Sequence, residues 1–207
     1  MGIHRYEDLT DIHLDVLREI GNIGSGNAST ALSGMINRNV LIEMPLVKVV
    51  GFQEAIDISG GAERIVAGVL SRMTGGVEGM ILLLMEQDFV NMTLGAFFGE
   101  KNAELTMLGE NEMSALSEIG NIMGGAYVSA ISQMTNMKIA LEAPRFQADM
   151  LGALMNVPAI EFGDVGDKLL FIDKHIKIDE QSVQSNMMLI PTIGSLEKIM
   201  EKLGIGI

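Results

Sequence analysis

The apolar positions of residues 10–37 recur with the spacing of an α-helix, which predicts one long helix across this segment. A rotation of about 100° per residue sorts its side chains onto two opposite sides. The side predicted to be buried consists of Leu17, Ile20, Ala28, Ala31 and Met35. The side predicted to face solvent carries mainly polar residues: Asp8, Asp15, Glu19, Asn22, Gly26 and Thr30.

The same pattern occurs a second time in the chain. Residues 17–45 align without gaps on residues 116–144, and so many residues recur in this one register that the chain contains an internal duplication. In the second copy the positions predicted to be buried are Leu116, Ile119, Ala130 and Met134. The positions predicted to face solvent are Ser114, Glu118, Asn121 and Gly125.

Each copy is followed by elements of the same kind, so each half is predicted to contain a long helix, about three strands and a short helix. We therefore predict an α/β fold, a single domain over residues 1–207 made of two pseudo-twofold-related repeats (about 8–99 and 109–207) with largely antiparallel strands. The first half has a predicted strand at 46–56, a hairpin of 64–73 with 77–85 and a helix at 88–99. The second has residues 145–155 before a hairpin of 168–178 with 183–191, and a helix at 195–204; residues 100–108 are the predicted surface connection.

The composition excludes several classes of site and partner. With 17 Met, no Trp and 4% aromatic residues, the core is predicted to be aliphatic and rich in methionine. A formal charge of −13 argues against a nucleic-acid partner, because neutralising phosphates requires clustered Lys and Arg. The absence of Cys excludes disulfides and thiolate metal sites. The N-terminus lacks a signal-peptide pattern and the apolar run at 79–85 is too short to span a bilayer, so we expect a cytoplasmic protein without membrane insertion.

Both predicted helices contain several glycines. A glycine inside a helix costs about 1 kcal/mol relative to alanine, so these positions need a reason. We expect Gly24 to allow close packing on the sheet, and Gly26 and Gly125 to leave space on the solvent side in which another surface can approach the backbone. The alternative is that the glycines serve only the packing of the two helices on each other, with the repeated Glu and Asn as ordinary surface residues.

The sequence contains no self-contained active site. His4, His13 and His175 have no metal-ligand spacing with Asp or Glu; we expect each to be a satisfied surface residue, and no metal site is predicted. A phosphate-binding Gly-Lys-Ser/Thr loop and a Gly-x-Ser-x-Gly nucleophile motif are both missing. A carboxylate and a carboxamide, without a nucleophile or a cation, fit a site that a second protein completes.

The duplicated motif resembles that of the CheC family of chemotaxis phosphatases, in which Asp or Ser, Glu, Asn and Pro follow one another at a characteristic spacing. The two copies have Asp15, Glu19, Asn22 and Pro45, and Ser114, Glu118, Asn121 and Pro144, without departure from that pattern. The resemblance covers essentially the entire chain. Within the family, two motifs in 207 residues predict the CheC type, because the CheX type keeps one site and the FliY type has an added motor-switch region.

The resemblance implies a phosphatase that hydrolyses the aspartyl phosphate of the response regulator CheY. Glu19 and Glu118 would pair with the receiver's active-site Lys, Asn22 and Asn121 would orient the attacking water, and phosphorylated CheY would supply Mg²⁺, so that the chain needs no cofactor of its own. The family also implies regulation by the deamidase CheD, and the stretch around Asp149 resembles its docking segment. The alternatives are a non-catalytic module that sequesters phosphorylated CheY or CheD and, third, a structural component of the flagellar motor.

Overall fold

A computed structural model describes residues 3–99, 103–162 and 168–205, which form six helices and one eight-stranded sheet. The first half contains α1 (Asp11–Ile36), β1 (Val40–Ile42), β2 (Leu46–Gly51), α2 (Phe52–Ile58), β3 (Ile65–Gly75), β4 (Gly79–Met85) and α3 (Gln87–Phe98). The second half repeats this order as α4 (Glu110–Thr135), β5 (Ile139–Leu141), β6 (Arg145–Met150), α5 (Leu151–Phe162), β7 (Lys168–Ile178), β8 (Gln181–Pro191) and α6 (Ile193–Lys202). The predicted α/β class is confirmed. Residues 100–102, part of the predicted connection between the halves, lie outside the described residues.

The sheet joins the two halves at its centre. The hairpins β3–β4 and β7–β8 meet there, where β4 pairs antiparallel with β8, with Gly79 opposite Pro191 and Met85 opposite Ser185. Leu82 lies opposite Met188 at the midpoint, which places the pseudo-twofold axis between them. The first two strands of each half pair with the hairpin of the other half: β1 and β2 with β7, and β5 and β6 with β3. Because the halves exchange strands, neither can form its part of the sheet alone.

Helices cover both faces of the sheet. The larger core lies under α1, α3, α4 and α6 and includes Leu17, Phe89, Ile119 and Ile199. The smaller core lies on the opposite face under α2 and α5. As the composition predicts, methionines are prominent among the buried side chains: Met73, Met80, Met85, Met123, Met155, Met187, Met188 and Met200. Unbranched methionine fills irregular gaps, which suits a core with few aromatic residues.

The two long helices pack directly on each other at Gly24. A Cβ placed on Gly24 would lie 2.8 Å from the ring of Tyr127 in α4, so a larger residue would push the helices apart. The Ser25 and Tyr127 hydroxyls are hydrogen-bonded at 2.7 Å in the buried interface, and burial raises the pKa of Tyr127 to about 12. The expectation that Gly24 packs on the sheet is wrong, because this side of α1 meets α4; for this glycine the helix-packing alternative holds.

Three other glycines let the long helices approach the sheet. A Cβ on Gly21 would be 3.1 Å from Val47 of β2, and one on Gly124 would be 3.1 Å from Leu141 of β5. A Cβ on Gly120 would overlap the Val69 side chain of β3. The glycines on the inner side of both helices are therefore explained by close packing, which an added methyl group would disturb.

Both long helices end in the same way. Asn37 follows α1 with φ 51°, and Asn136 follows α4 with φ 56°, so both lie in the left-handed region. Asparagine is one of the few residues other than glycine that adopts this conformation at low cost at the end of a helix. The recurrence of Asn in the duplicated segment thus has a structural reason at this position.

The number of strands and helices in each half differs from the prediction. The predicted strand at 46–56 is wrong beyond Gly51, and residues 145–155 end as helix, because the chain turns at Gly51 and at Leu151 to cover the second face of the sheet with α2 and α5. Each half therefore has four strands and one additional helix. Ala55, for example, is buried as part of a helix. The short apolar run around it fits a strand as well as a helix, so the sequence pattern did not reveal the helix.

Four side chains are buried to a different degree than predicted. Ala31 is exposed, and Met35 and Met134 are only half-buried; Leu32 and Ile36 take the core positions at the end of α1. The expectation of a surface position is wrong for His13, which is buried and accepts a hydrogen bond from the Thr10 backbone N–H at 3.0 Å. His13 thereby satisfies an otherwise unpaired donor at the start of α1.

Candidate functional site

Glu19 and Asn22 lie about one turn apart on the outer side of α1, as predicted. Glu19 is exposed and Asn22 is half-buried, so its carboxamide remains accessible. The Asn22 Nδ2 atom donates a hydrogen bond to Glu19 Oε2 at 3.4 Å, which is long for an N–H···O bond. The first motif therefore presents a carboxylate and a carboxamide that are joined by a weak hydrogen bond.

Glu118 and Asn121 occupy the equivalent positions on α4. Glu118 is exposed and Asn121 is half-buried. Within the part of the chain that the structure describes, the Asn121 carboxamide makes no side-chain hydrogen bond. The second motif therefore presents the same two groups without the internal hydrogen bond of the first.

The residue one turn before each Glu differs between the motifs. Asp15 forms an exposed ion pair with Arg18 at 2.5 Å, immediately beside Glu19. Exposed Ser114 takes the place of Asp15 in the second motif, and Ser117 takes the place of Arg18. The outer side of α1 thus carries an arginine paired with an aspartate, and α4 has neither residue at the equivalent positions.

The outer glycines leave open space beside both motifs. A Cβ placed on Gly26 or on Gly125 would have no other atom within 4 Å, apart from its own stretch of helix. Neither position needs glycine for the packing of the chain itself, although each costs helix stability. The helix surface one turn after Asn22 and Asn121 is therefore open to a second molecule.

The two prolines of the motifs have different surroundings. Pro45 is buried and would be 3.4 Å from a Cβ on Gly21, the residue before Asn22. Pro144 is half-buried and directly precedes β6. The first proline therefore supports α1 directly under its motif, by packing and not by chemistry.

Asp149 lies on the other face of the sheet. It is in β6 opposite Val66 of β3, and Val66 belongs to the core under α2 and α5. Its carboxylate accepts hydrogen bonds from Gln147 Nε2 at 2.9 Å and from the Met150 N–H at 2.7 Å. The structure thus separates Asp149 from the two motifs, which lie on the side of α1 and α4.

The described residues give no indication of a resident metal or of a membrane segment. In the ranges 3–99, 103–162 and 168–205, no group of three or more His, Asp or Glu side chains could hold a metal ion. Among those same residues, no helix has both the length and the apolar composition needed to cross a bilayer.

The Glu–Asn pairs lie on the outer sides of two symmetry-related helices of an antiparallel α/β domain, and comparisons with known proteins show the family to which this domain belongs. The CheC-like family model matches residues 12–49 and 112–147, which contain both motifs. The CheY-P phosphatase CheC of Bacillus subtilis (strain 168) is 30% identical over 203 residues, which cover 96% of this chain and 97% of that protein. The chain therefore belongs to the CheC family.

Other similar proteins include FliY and FliM. The flagellar motor switch phosphatase FliY of Bacillus subtilis (strain 168) is 29% identical over 191 residues, which span 91% of this chain but 49% of FliY. The crystal structure of Thermotoga maritima FliY has a TM-score of 0.75 at 22% identity and covers 95% of this chain and 98% of that one. The FliM middle domain of H. pylori has a TM-score of 0.65 at 16% identity, with 94% and 99% covered. These structural likenesses concern the fold alone.

The sequence pattern did not single out several residues around the first motif. These residues are Arg18 beside Glu19, the exposed Met44 before Pro45, and Ser29 on α1. A position-by-position comparison of the two copies contains the signal for all three, because Arg18, Ser29 and Met44 align with Ser117, Val128 and Ala143. Differences between copies, and not only identities, point to these residues.

Proposed function

We propose that the chain hydrolyses the aspartyl phosphate of a CheY-type receiver protein and that each long helix carries one active face. The observation that carries the proposal is the pair of accessible carboxamides, Asn22 and Asn121, each about one turn from an exposed carboxylate. The name of the Bacillus subtilis relative, a CheY-P phosphatase with 30% identity, supports the same reaction.

In this mechanism Glu19 or Glu118 pairs with the lysine of the receiver's active site and holds the helix over the phosphoryl group. Asn22 or Asn121 then enters that site and orients a water molecule in line with the bond to be broken. The water oxygen attacks phosphorus and the bond from phosphorus to the aspartyl oxygen breaks, which leaves the receiver aspartate as a carboxylate. One proton of the water remains on the inorganic phosphate, HPO4²⁻, and the other is released to solvent. Phosphoryl transfer depends mainly on such positioning and on charge neutralisation. The neutralising Mg²⁺ belongs to the receiver, so the chain itself supplies no cofactor.

The surroundings of the two groups fit an approach by a second protein. The 3.4 Å hydrogen bond between Asn22 and Glu19 is weak, and pairing of Glu19 with a lysine would release the carboxamide for the water. The space beside Gly26 and Gly125 lets the receiver approach the helix backbone. The net charge of −13 favours encounter with a lysine-bearing site.

The test is the decay of receiver phosphate in the presence of the Asn22→Ala/Asn121→Ala double variant. We expect the acceleration to be lost while the fold is retained, because both side chains are on the outer side of their helices; orienting groups of this kind contribute roughly 10²-fold or more. Gln133→Ala, which changes an exposed amide at the far end of α4, is the matched control and should keep the parent rate. A double variant with the parent rate would contradict the mechanism.

The same measurement tests the alternative that the chain only sequesters its partner. A sequestering protein would leave the phosphate decay unchanged or slow it, even with both motifs intact. The proposal instead requires that the parent chain shortens the lifetime of the phosphorylated receiver at substoichiometric amounts, since each active face turns over.

We also propose that the chain acts in the cytoplasm and is regulated by CheD, which docks around Asp149. Asp149 lies on the opposite face of the sheet from the motifs, so a protein bound there would leave both active faces free. Asp149→Asn keeps the size of the side chain and should weaken CheD binding without changing the basal phosphatase rate. Glu142→Gln, at an exposed position before β6, is the control. Unchanged CheD affinity in Asp149→Asn would contradict this assignment.

A further inference from the structure

The chain after α1 runs back along that helix on the side of the first motif. We refer to residues 40–46 as the return segment. Ser29 donates a hydrogen bond to the Val40 carbonyl at 2.6 Å, and Ser29 lies seven residues after Asn22, a spacing that places both on the same side of α1. At its other end, the segment packs Pro45 against Gly21, the neighbour of Asn22. The return segment therefore packs along the part of α1 that carries Asn22.

The return segment is held in place by the sheet. Val40–Ile42 pair with Ile176–Ile178 of β7, and the Glu43 N–H donates to the His175 carbonyl at 3.0 Å. The Glu43 carboxylate also forms an ion pair with Lys177 at 2.5 Å, and hydrogen bonding to Lys177 lowers the pKa of Glu43. A side chain on this segment thus has a defined position relative to α1.

Met44 is the side chain that this segment presents between Glu43 and Pro45. It is 83% exposed, the largest exposed fraction of any large apolar side chain in the described residues. A single exposed apolar residue is common on protein surfaces. Here, however, the duplicated segment provides a direct comparison, because the position aligned with Met44 is Ala143. The first copy therefore carries a large exposed apolar side chain where the second copy has only a methyl group.

We infer that Met44 is a specificity-determining residue that contacts the phosphorylated receiver docked on the first motif. The inference rests on the proposed function, since it extends the docking face of Glu19 and Asn22 by one apolar contact. Methionine suits this role because its flexible, polarisable side chain adapts to an apolar recess on a partner. The contact forms with the receiver's surface around the phosphorylation site and does not touch the reacting atoms, so it affects docking and not the chemical step.

The test uses a chain in which only the first motif is active, the Glu118→Arg/Asn121→Ala variant. In that background Met44→Ala should raise KM for the phosphorylated receiver about tenfold, the loss expected for a partly buried methionine, and leave kcat unchanged. Met44→Leu should restore most of the affinity. Leu41→Ala is the matched control, because Leu41 is also exposed (52%) on the return segment but points to the other face of β1 from the buried Val40 and Ile42.

A binding measurement separates this inference from the proposed function. The same set of variants is titrated with receiver activated by beryllium fluoride, a phosphate analogue that is not hydrolysed. Met44→Ala should weaken this binding by the same factor as it raises KM, and unchanged affinity would overturn the inference even where dephosphorylation is seen. A fall in kcat without a change in affinity would also overturn it, because Met44 would then act only on the position of Asn22. The proposed function, by contrast, would be contradicted by a different result: an Asn22→Ala/Asn121→Ala variant that dephosphorylates the receiver at the parent rate.

Discussion

The two motifs carry the same Glu and Asn on symmetry-related helices, yet their surroundings differ. On α1, Asp15 pairs with Arg18 and Asn22 donates to Glu19. On α4, serines stand in place of both members of the ion pair, and the carboxamide has no side-chain hydrogen bond within the described residues. The groups proposed to act on the partner are shared, whereas the charged and polar residues next to them have diverged. The comparison therefore predicts two faces with one chemistry and unequal properties.

The largest expected difference concerns the two carboxamides. Each single substitution, Asn22→Ala or Asn121→Ala, should remove about 10²-fold of the acceleration at its own motif. At receiver concentrations well below KM the Asn121→Ala variant should lose more of the total rate, because docking on the first motif requires Asn22 to give up its hydrogen bond to Glu19, a bond worth at most about 1 kcal/mol. Single-turnover decay of receiver phosphate measures both contributions. Equal losses in the two variants would show that the hydrogen bond in the first motif has no kinetic effect.

The inner glycines should differ in stability. A Cβ on Gly120 would overlap Val69, whereas one on Gly21 would be 3.1 Å from Val47 and needs only a small shift. We expect Gly120→Ala to lower the free energy of unfolding by about 1–3 kcal/mol and Gly21→Ala to lower it less. Chemical denaturation measures both values. A Gly120→Ala variant as stable as the parent would mean that β3 can move away from α4 at little cost.

The outer glycines should show the opposite behaviour. Gly26→Ala and Gly125→Ala should each raise the free energy of unfolding by up to about 1 kcal/mol, because nothing opposes the added methyl group. Both should nevertheless slow dephosphorylation, since the methyl group occupies the space for the receiver. Gly34→Ala is the control: it lies on α1 with equally open space but two turns beyond Gly26, so it should stabilise the helix without slowing the reaction. Unchanged rates in Gly26→Ala and Gly125→Ala would remove the functional reason for these glycines.

The ion pair of the first motif should have the smallest effect. Asp15→Asn leaves Arg18 without its partner and free to compete with the receiver's lysine for Glu19. Exposed pairs contribute up to about 1 kcal/mol, so KM at the first motif should rise by at most about fivefold, and less at high salt. The Asp15→Ser/Arg18→Ser variant, which copies the second motif, should return KM to the parent value. A KM that rises equally in both variants would assign the effect to Asp15 and not to the unpaired cation.

Local features were predictable because their causes are local. Helical periodicity placed the first long helix, predicted at 10–37, to within a few residues of its observed ends, and put Glu19, Asn22, Glu118 and Asn121 on the outer sides of the two long helices. Gly99 after α3 and Gly204 after α6 also lie in the left-handed region, as expected for glycines that end helices. The helices α2 and α5 escaped prediction because short apolar runs fit either a strand or a helix.

The amino-acid sequence by itself determined the duplication, the α/β class and the residues of both motifs, since these follow from periodicity and from side chains repeated in register. Only the tertiary structure decided that the halves exchange strands, that Gly24 meets Tyr127 across the helix interface, and that the return segment packs on α1 at Ser29 and Gly21. These contacts join positions that are distant in the chain or that belong to different repeats. Periodicity constrains which side of an element is buried, but the partner that covers this side is chosen by the packing of the entire domain.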